Sequence, residues 1–159
     1  MAHLVETMVR NSATSASWHN TETTIPHDAP FDDWFAHSGL NYEVFRAKVQ
    51  YETDSGEFRQ MDNRHVLYRS DTLAPLSVVG EDYRIVQPHA ILEFFRNLCD
   101  ENKLVMDTAG VLAQGKRVWA LSRTNMGVSV GGSDLVKQYF LLATSYDTTM
   151  ATIAKPTTV

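Results

Sequence analysis

The residues with most to offer chemically are cations interleaved with aromatic rings on extended segments. They fall in three groups: Arg46, Lys48 and Tyr51; Arg64, Tyr68 and Arg69; and Lys116, Arg117, Trp119 and Arg123. Guanidinium and ammonium groups neutralise phosphates, while flat rings stack on bases without reading their identity. That pairing is what a protein needs to hold a single nucleic-acid strand. The plainer reading stands beside it. Trp119 and Tyr51 each share a strand face with apolar neighbours and can be core, and Lys116 and Arg117 flank a turn, where charge is ordinary. The first group lies in NYEVFRAKVQY, where Phe45, Ala47, Val49 and Tyr51 alternate with Arg46, Lys48 and Gln50. A period of two predicts a half-buried strand, with the apolar set inward and the cationic set in water.

Other chemistries find less support. There is no G-x-x-x-x-G-K-[ST] loop, and Gly131-Gly132-Ser133 lacks the following lysine, so no phosphate cradle is expected. The 6 histidines have no ligand-like spacing and Cys99 is the 1 cysteine, so a structural zinc site is not expected. Cys99 falls in an apolar helical pattern and reads as a small buried hydrophobe. Asp28, Asp32 and Asp33 cluster, as they would to bind a divalent ion, although helix capping and solvation explain them better. With Asp147 they are the route to an alternative reading, a metal-dependent phage nuclease, which requires carboxylates that converge in space. Ser145-Tyr146-Asp147 has no partnered base nearby. The expectation is therefore a protein without cofactor or covalent chemistry. A third reading is a protein-interaction or inhibitor module whose acidic surface mimics nucleic acid.

The formal charge of −5 over 159 residues excludes a general attraction to polyanions. Any nucleic-acid site must be a local groove. No apolar run is long enough to cross a bilayer, MAHLVETMVRN lacks a signal-peptide layout, and a lone thiol fits a reducing compartment. A cytoplasmic protein without a membrane partner is expected.

The elements that must position these residues follow from periodicity. Residues 1–30 are polar and rich in Ser and Thr, and read as poorly ordered, with Trp18-His19 as an aromatic anchor. One domain is expected over 31–159. DDWFAHSGL predicts a short helix capped by Asp32 or Asp33 and stopped by Gly39. After the basic strand, TDSGEF is a turn, Phe58–Met61 pairs back as a hairpin, Asp62-Asn63 is a second turn, and His65–Ser70 is a third extended run. LAPLSVVG and DYRIVQP read as extended pieces. Pro88 opens a helix over about 89–103, with Ile91, Leu92, Phe95 and Leu98 at helical spacing. VMDTAGVLAQGKRVWALSRT is a hairpin turning at Gln114-Gly115, GVSVGGSD a flexible loop, KQYFLLATSYD a strand, and MATIAKPTTV the start of another. Ending on β-prone residues, the chain reads as the N-terminal part of something longer, truncated at its C-terminus. Strands, a helix, then strands without βα alternation predict α+β: an antiparallel sheet and hairpins with a helix packed on one face.

MAHLVETM, Trp18-His19, PLSVVGEDYRIVQP and LLATSYDTTMAT together resemble a family of phage- and plasmid-borne proteins catalogued as a domain of unknown function. In that family the Trp-His pair usually continues Gly-Leu-Gly, and the late motif usually reads Ser-His-Asp-Gly-Ser. Here the counterparts are Asn20 and Ser145-Tyr146-Asp147-Thr148-Thr149. By their genetic setting such proteins resemble the single-strand annealing proteins of the lambda Beta recombinase superfamily. The resemblance implies ATP-independent binding and annealing of single-stranded DNA in phage or plasmid recombination. It also implies a homo-oligomeric ring or helical filament with a basic groove, and a phage exonuclease as a further partner.

Overall fold

The computed structural model describes residues 5–12, 22–26, 28–101, 104–130 and 134–158. In chain order the elements are β1 (Val5–Asn11), β2 (Glu22–Ile25), α1 (Phe31–Ser38), β3 (Val44–Glu52), β4 (Phe58–Arg69), β5 (Pro75–Gly80), α2 (Pro88–Asp100), β6 (Leu104–Leu112), β7 (Arg117–Val130), β8 (Asp134–Ser145) and β9 (Ile153–Thr158). Strands dominate, and they form a six-stranded sheet in the order β2-β1-β6-β7-β8-β9 and a three-stranded sheet β3-β4-β5. Every pairing is antiparallel except β1 with β2. The mixed α and β composition with antiparallel sheets agrees with the expectation.

Alternation writes two faces onto the large sheet. Ala109 stands opposite Ala120, Val111 opposite Val118, and Val9 opposite Ala109, and all five belong to the core. The same core takes in Trp34 of α1, Ile91, Leu92 and Phe95 of α2, and Val44, Leu67, Leu76 and Val79 of the small sheet. Phe95 meets Phe140 edge to face, with ring centroids 6.2 Å apart. Aromatic pairs of this kind add to the burial of their rings.

Polar joints hold the two sheets together. Gln87 offers its amide to both backbone groups of Val44, accepting from the N–H at 2.9 Å and donating to the carbonyl at 3.0 Å. Tyr42 donates to the Gly115 carbonyl at 3.0 Å, and Tyr146 to that of Val86 at 2.7 Å. Gly115 closes the β6–β7 turn at φ 89°, and a Cβ there would lie 2.7 Å from Cδ of Arg69. The position is thus closed to other residues by both backbone and space.

Several local expectations are corrected. Val5–Asn11 was read as part of a poorly ordered stretch, yet β1 pairs with β6 inside the large sheet and Val9 is fully buried. A seven-residue strand needs only a few inward side chains, too little to register in a polar N-terminal composition. Trp18-His19 lies outside the described residues. Asp62-Asn63 is no turn: β4 runs through it, and the register against β3 slips there from Lys48↔His65 to Val49↔Met61. A bulge uses the same turn-prone residues without reversing the chain. DYRIVQP contains no strand, and of the expected Gly/Ser loop β7 takes the first half and β8 begins at its last residue, with 131–133 outside the described residues. In α1 the N-cap is Pro30, with no side-chain cap, and Asp32 and Asp33 occupy the first turn, where negative charge suits the helix dipole. Gly39 ends that helix in the left-handed conformation, as expected.

The largest correction concerns β3. Its period of two holds and Arg46, Lys48 and Gln50 are exposed as expected, but the apolar set is not turned into the core. Arg46 stands opposite Leu67 and Val44 opposite Arg69, and Val44 and Leu67 are in the core. Within the apolar set Phe45 is 42% and Tyr51 49% exposed, while Ala47 and Val49 are half-buried. Across from them Val66, Tyr68, Met61 and Val78 complete an apolar outer surface on the small sheet, with Phe45 edge-on to Tyr68 at 5.8 Å. Arg46 is exposed, and its guanidinium donates to the carbonyls of Glu81 and Tyr83.

Candidate nucleic-acid interface

The other face of the large sheet gathers what the sequence scatters. On β7, Arg117, Trp119, Leu121 and Arg123 alternate outward from the core set. On β8 their opposite numbers are Ala143 beside Trp119, Leu141 beside Leu121, and Tyr139 beside Arg123, with Lys137 two residues further on. Lys155 on β9 stands opposite Leu141, and Arg10 on β1 opposite Thr108. Five cations, two aromatic rings and a floor of aliphatic side chains therefore share one surface. Gly110 stands between Met8 and Trp119 across the strands. A Cβ there would lie 2.7 Å from the Thr7 carbonyl oxygen, so the glycine lets β1 pack closely on β6.

One carboxylate among these cations is buried. Asp107 lies at the β6 irregularity between Met106 and Thr108, is 7% exposed, and its Oδ1 has no hydrogen-bond partner. Burial raises its pKa above the ordinary carboxylate value, against the opposing pull of Arg123, Lys137 and Arg10. Tyr139 is shifted upward as well, by burial first and by the Asp107 charge second.

The predicted residues divide between surfaces. Arg117, Trp119 and Arg123 come together on this face. Arg117 is also engaged at its end of the strand, donating to Thr149 Oγ1 at 3.0 Å with Nε 3.7 Å from Asp147. Lys116 lies in the β6–β7 turn beside a surface depression lined by Val5, Glu6, Ala113 and Gln114. Tyr51, Tyr68 and Arg64 are on the small sheet, and Lys48 is exposed opposite His65. Arg46 is occupied with backbone carbonyls, as described above. Arg69 is removed from the groove altogether. It is 5% exposed, and it holds Asp71 with Nε at 2.9 Å and a second nitrogen at 2.7 Å, and Glu6 at 2.8 and 2.9 Å. Its guanidinium carbon lies 4.2 Å over the Tyr42 ring. A cation with two carboxylates and a ring around it joins β1 to β4; it does not meet phosphate. The Arg69 hydrogen bond also holds Asp71 below the usual carboxylate range.

Arg10, Lys137, Tyr139, Lys155 and Asp107 were missed. Lys137, Tyr139 and Leu141 do alternate in KQYFLLATS, a signal as good as that of β3. Arg10 fell in the stretch discounted as poorly ordered. Among the described residues no three of His, Cys, Asp and Glu converge as metal ligands. Of the acidic candidates, Asp32 is paired with Arg96 at 3.0 Å, and Asp147 accepts from the Thr149 N–H at 3.1 Å. Cys99 is half-buried, and burial lifts its thiol to about 11, far from a nucleophile's range.

The late motif is a built turn. Ser145 donates to the Met150 carbonyl at 2.8 Å and accepts from its N–H at 3.0 Å, and Tyr83 donates to the Ser145 carbonyl at 2.9 Å. Burial works to raise the Asp147 pKa, but hydrogen bonds from Thr149 and Ser145 and the Arg117 charge bring it below the ordinary value. Tyr146 is fully buried. Thr148 adopts φ 62°, left-handed backbone that a β-branched residue tolerates poorly.

No curated protein and no solved structure matches the chain. Residues 75–159 match a protein family, a stretch that runs from β5 through β9 and so carries most of the cationic face and the whole of the late motif. With more than half of its length matched, the chain belongs to the family described as domain of unknown function DUF932.

Proposed function

We propose that this protein binds single-stranded DNA on the open face of its six-stranded sheet and, as a homo-oligomer, promotes annealing of complementary strands without ATP. The observation that carries the reading is the gathering of Arg10, Arg117, Arg123, Lys137 and Lys155 around Trp119 and Tyr139. Cations at strand spacing track a phosphate backbone, and the part-exposed Trp119 ring would accept a base by stacking, with Tyr139 buried beneath the cations. Both helices contribute to the core, Trp34 from α1 and Ile91, Leu92 and Phe95 from α2, and a strand would take the other face of the sheet. Few cations per subunit suffice if copies line up, because contacts on one continuous strand act at high effective concentration. The acidic remainder of the chain then forms the outer wall. A role in phage or plasmid recombination, with an exonuclease as companion, follows from the resemblance noted above.

The test mixes the protein with two complementary oligonucleotides, one carrying a fluorophore and the other a quencher, without nucleotide. Quenching faster than in buffer, with full-length strands recovered, supports annealing. Strands shortened only in the presence of magnesium or manganese would overturn it in favour of a nuclease. One observation favours a protein-interaction module instead, the apolar outer face of the small sheet with Phe45, Tyr51, Met61 and Val78 exposed. Absence of any labelled-strand shift at low salt would promote that second reading.

A further inference from the structure

A carboxylate is the group a strand-binding surface should tolerate least, yet Asp107 lies within this one. The groups that face it are Arg10 from β1, Arg123 from β7 and Lys137 from β8, with Tyr139 also on β8 within its field. Asp107 is nine-tenths buried and its Oδ1 accepts no hydrogen bond. A buried carboxylate oxygen without a donor is costly, and the charges that oppose this cost are the cations a strand would use.

We propose that strand binding on this face is linked to protonation of Asp107. The inference rests on the single-strand reading above and adds a regulatory term to it. Phosphates that engage Arg10, Arg123 and Lys137 offset the positive field that stabilises the carboxylate, and they add negative charge nearby. Both effects favour the neutral acid, so the complex holds a proton more tightly than the free protein. By linkage, affinity rises as pH falls through the Asp107 range, by at most about tenfold per pH unit for one proton. Asp107 acts as a positioning residue that keeps the cations poised and yields its charge when the strand arrives.

The experiment titrates wild type and D107N with labelled oligothymidylate between about pH 5 and pH 8, where thymine carries no titrating group and the histidine contribution is common to both proteins. D107N should bind several-fold more tightly than wild type at the upper end, and the two should converge at the lower end. In calorimetry, the wild-type protein alone should take up protons on binding when two buffers of unlike ionisation heat are compared. That readout needs no variant. A constant ratio between the two proteins across pH, a D107N that binds more weakly at the upper end, or zero proton uptake overturns the inference and leaves strand binding standing. Failure of both proteins to bind at every pH overturns the single-strand reading and this inference with it.

Discussion

Arg69 shows why a residue type alone misleads. In sequence it is one more arginine beside an aromatic; in space it is a buried cation satisfied by Glu6, Asp71 and the Tyr42 face. Arg69→Ala leaves two carboxylates and a buried cavity, and should lower stability by about 3 kcal/mol in denaturant unfolding. Binding of single strands, measured where the variant is still folded, should not change. Arg69→Lys should recover only part of that loss, because a point charge cannot serve both carboxylates as a fork does. Thr148 makes the opposite case. Its left-handed backbone is one that glycine adopts without strain, and the turn is kept here despite the side chain. Thr148→Gly should raise stability by about 1 kcal/mol, since relief of strain exceeds the added freedom of the unfolded chain. A lower melting temperature would show that the threonine side chain contributes more than its backbone costs.

At the scale of elements, β3 turns an expected contact into a structural one. Arg46, though exposed, donates to the carbonyls of Glu81 and Tyr83 in the segment after β5. Arg46→Ala should therefore cost about 1–2 kcal/mol of stability through lost hydrogen bonds. The salt dependence of strand binding should be unchanged. A reduced slope in that variant would return β3 to the interface. On β7 and β8 the expectation reverses: Arg123→Ala with Lys137→Ala should lower the slope of log affinity against log salt by about 1.4, or roughly 0.7 per phosphate contact, with equal loss for all sequences. An unchanged slope in the double variant would make the face solvated surface and nothing more.

For the whole molecule, charge is uneven in a way that links acid stability to binding. Arg69 depresses the pKa of Asp71, and the Thr149 and Ser145 hydrogen bonds with Arg117 depress that of Asp147. A lowered carboxylate stabilises the fold above its ordinary pKa, and that contribution is lost as pH falls through the folded value. Asp107 is raised, so its contribution has the opposite sign: it is present below the ordinary carboxylate pKa and lost as pH rises through the folded value. Melting temperature should consequently fall on strong acidification in wild type. The difference in melting temperature between D107N and wild type should grow from mildly acidic to neutral pH. A difference that stays flat would place Asp107 in an environment no different from water. Assembly is tested at the same scale. Sedimentation should give multimers on single-stranded DNA, and a strictly monomeric particle with and without DNA removes the annealing mechanism in its oligomeric form.

Periodicity and turn chemistry in the sequence determine most of the elements. The helix opened by Pro88, the hairpin at Gln114-Gly115 and the alternating strand at Lys137 are dictated by local preferences that tertiary contacts reinforce. The α+β class with antiparallel pairing follows from their order. What sequence could not determine was which side of a strand is wet. Alternation gives two faces, and only the partner layer decides between them: in β3 a loop carbonyl pair accepts Arg46 and the apolar face is left outside. Nor could local pattern join residues more than a hundred positions apart. Arg10, Arg123 and Lys155 come to one face because β1, β7 and β9 share one sheet, and that order is set by long-range pairing. The candidate site is a product of strand order, whereas its individual residues were legible as cations and rings from the start.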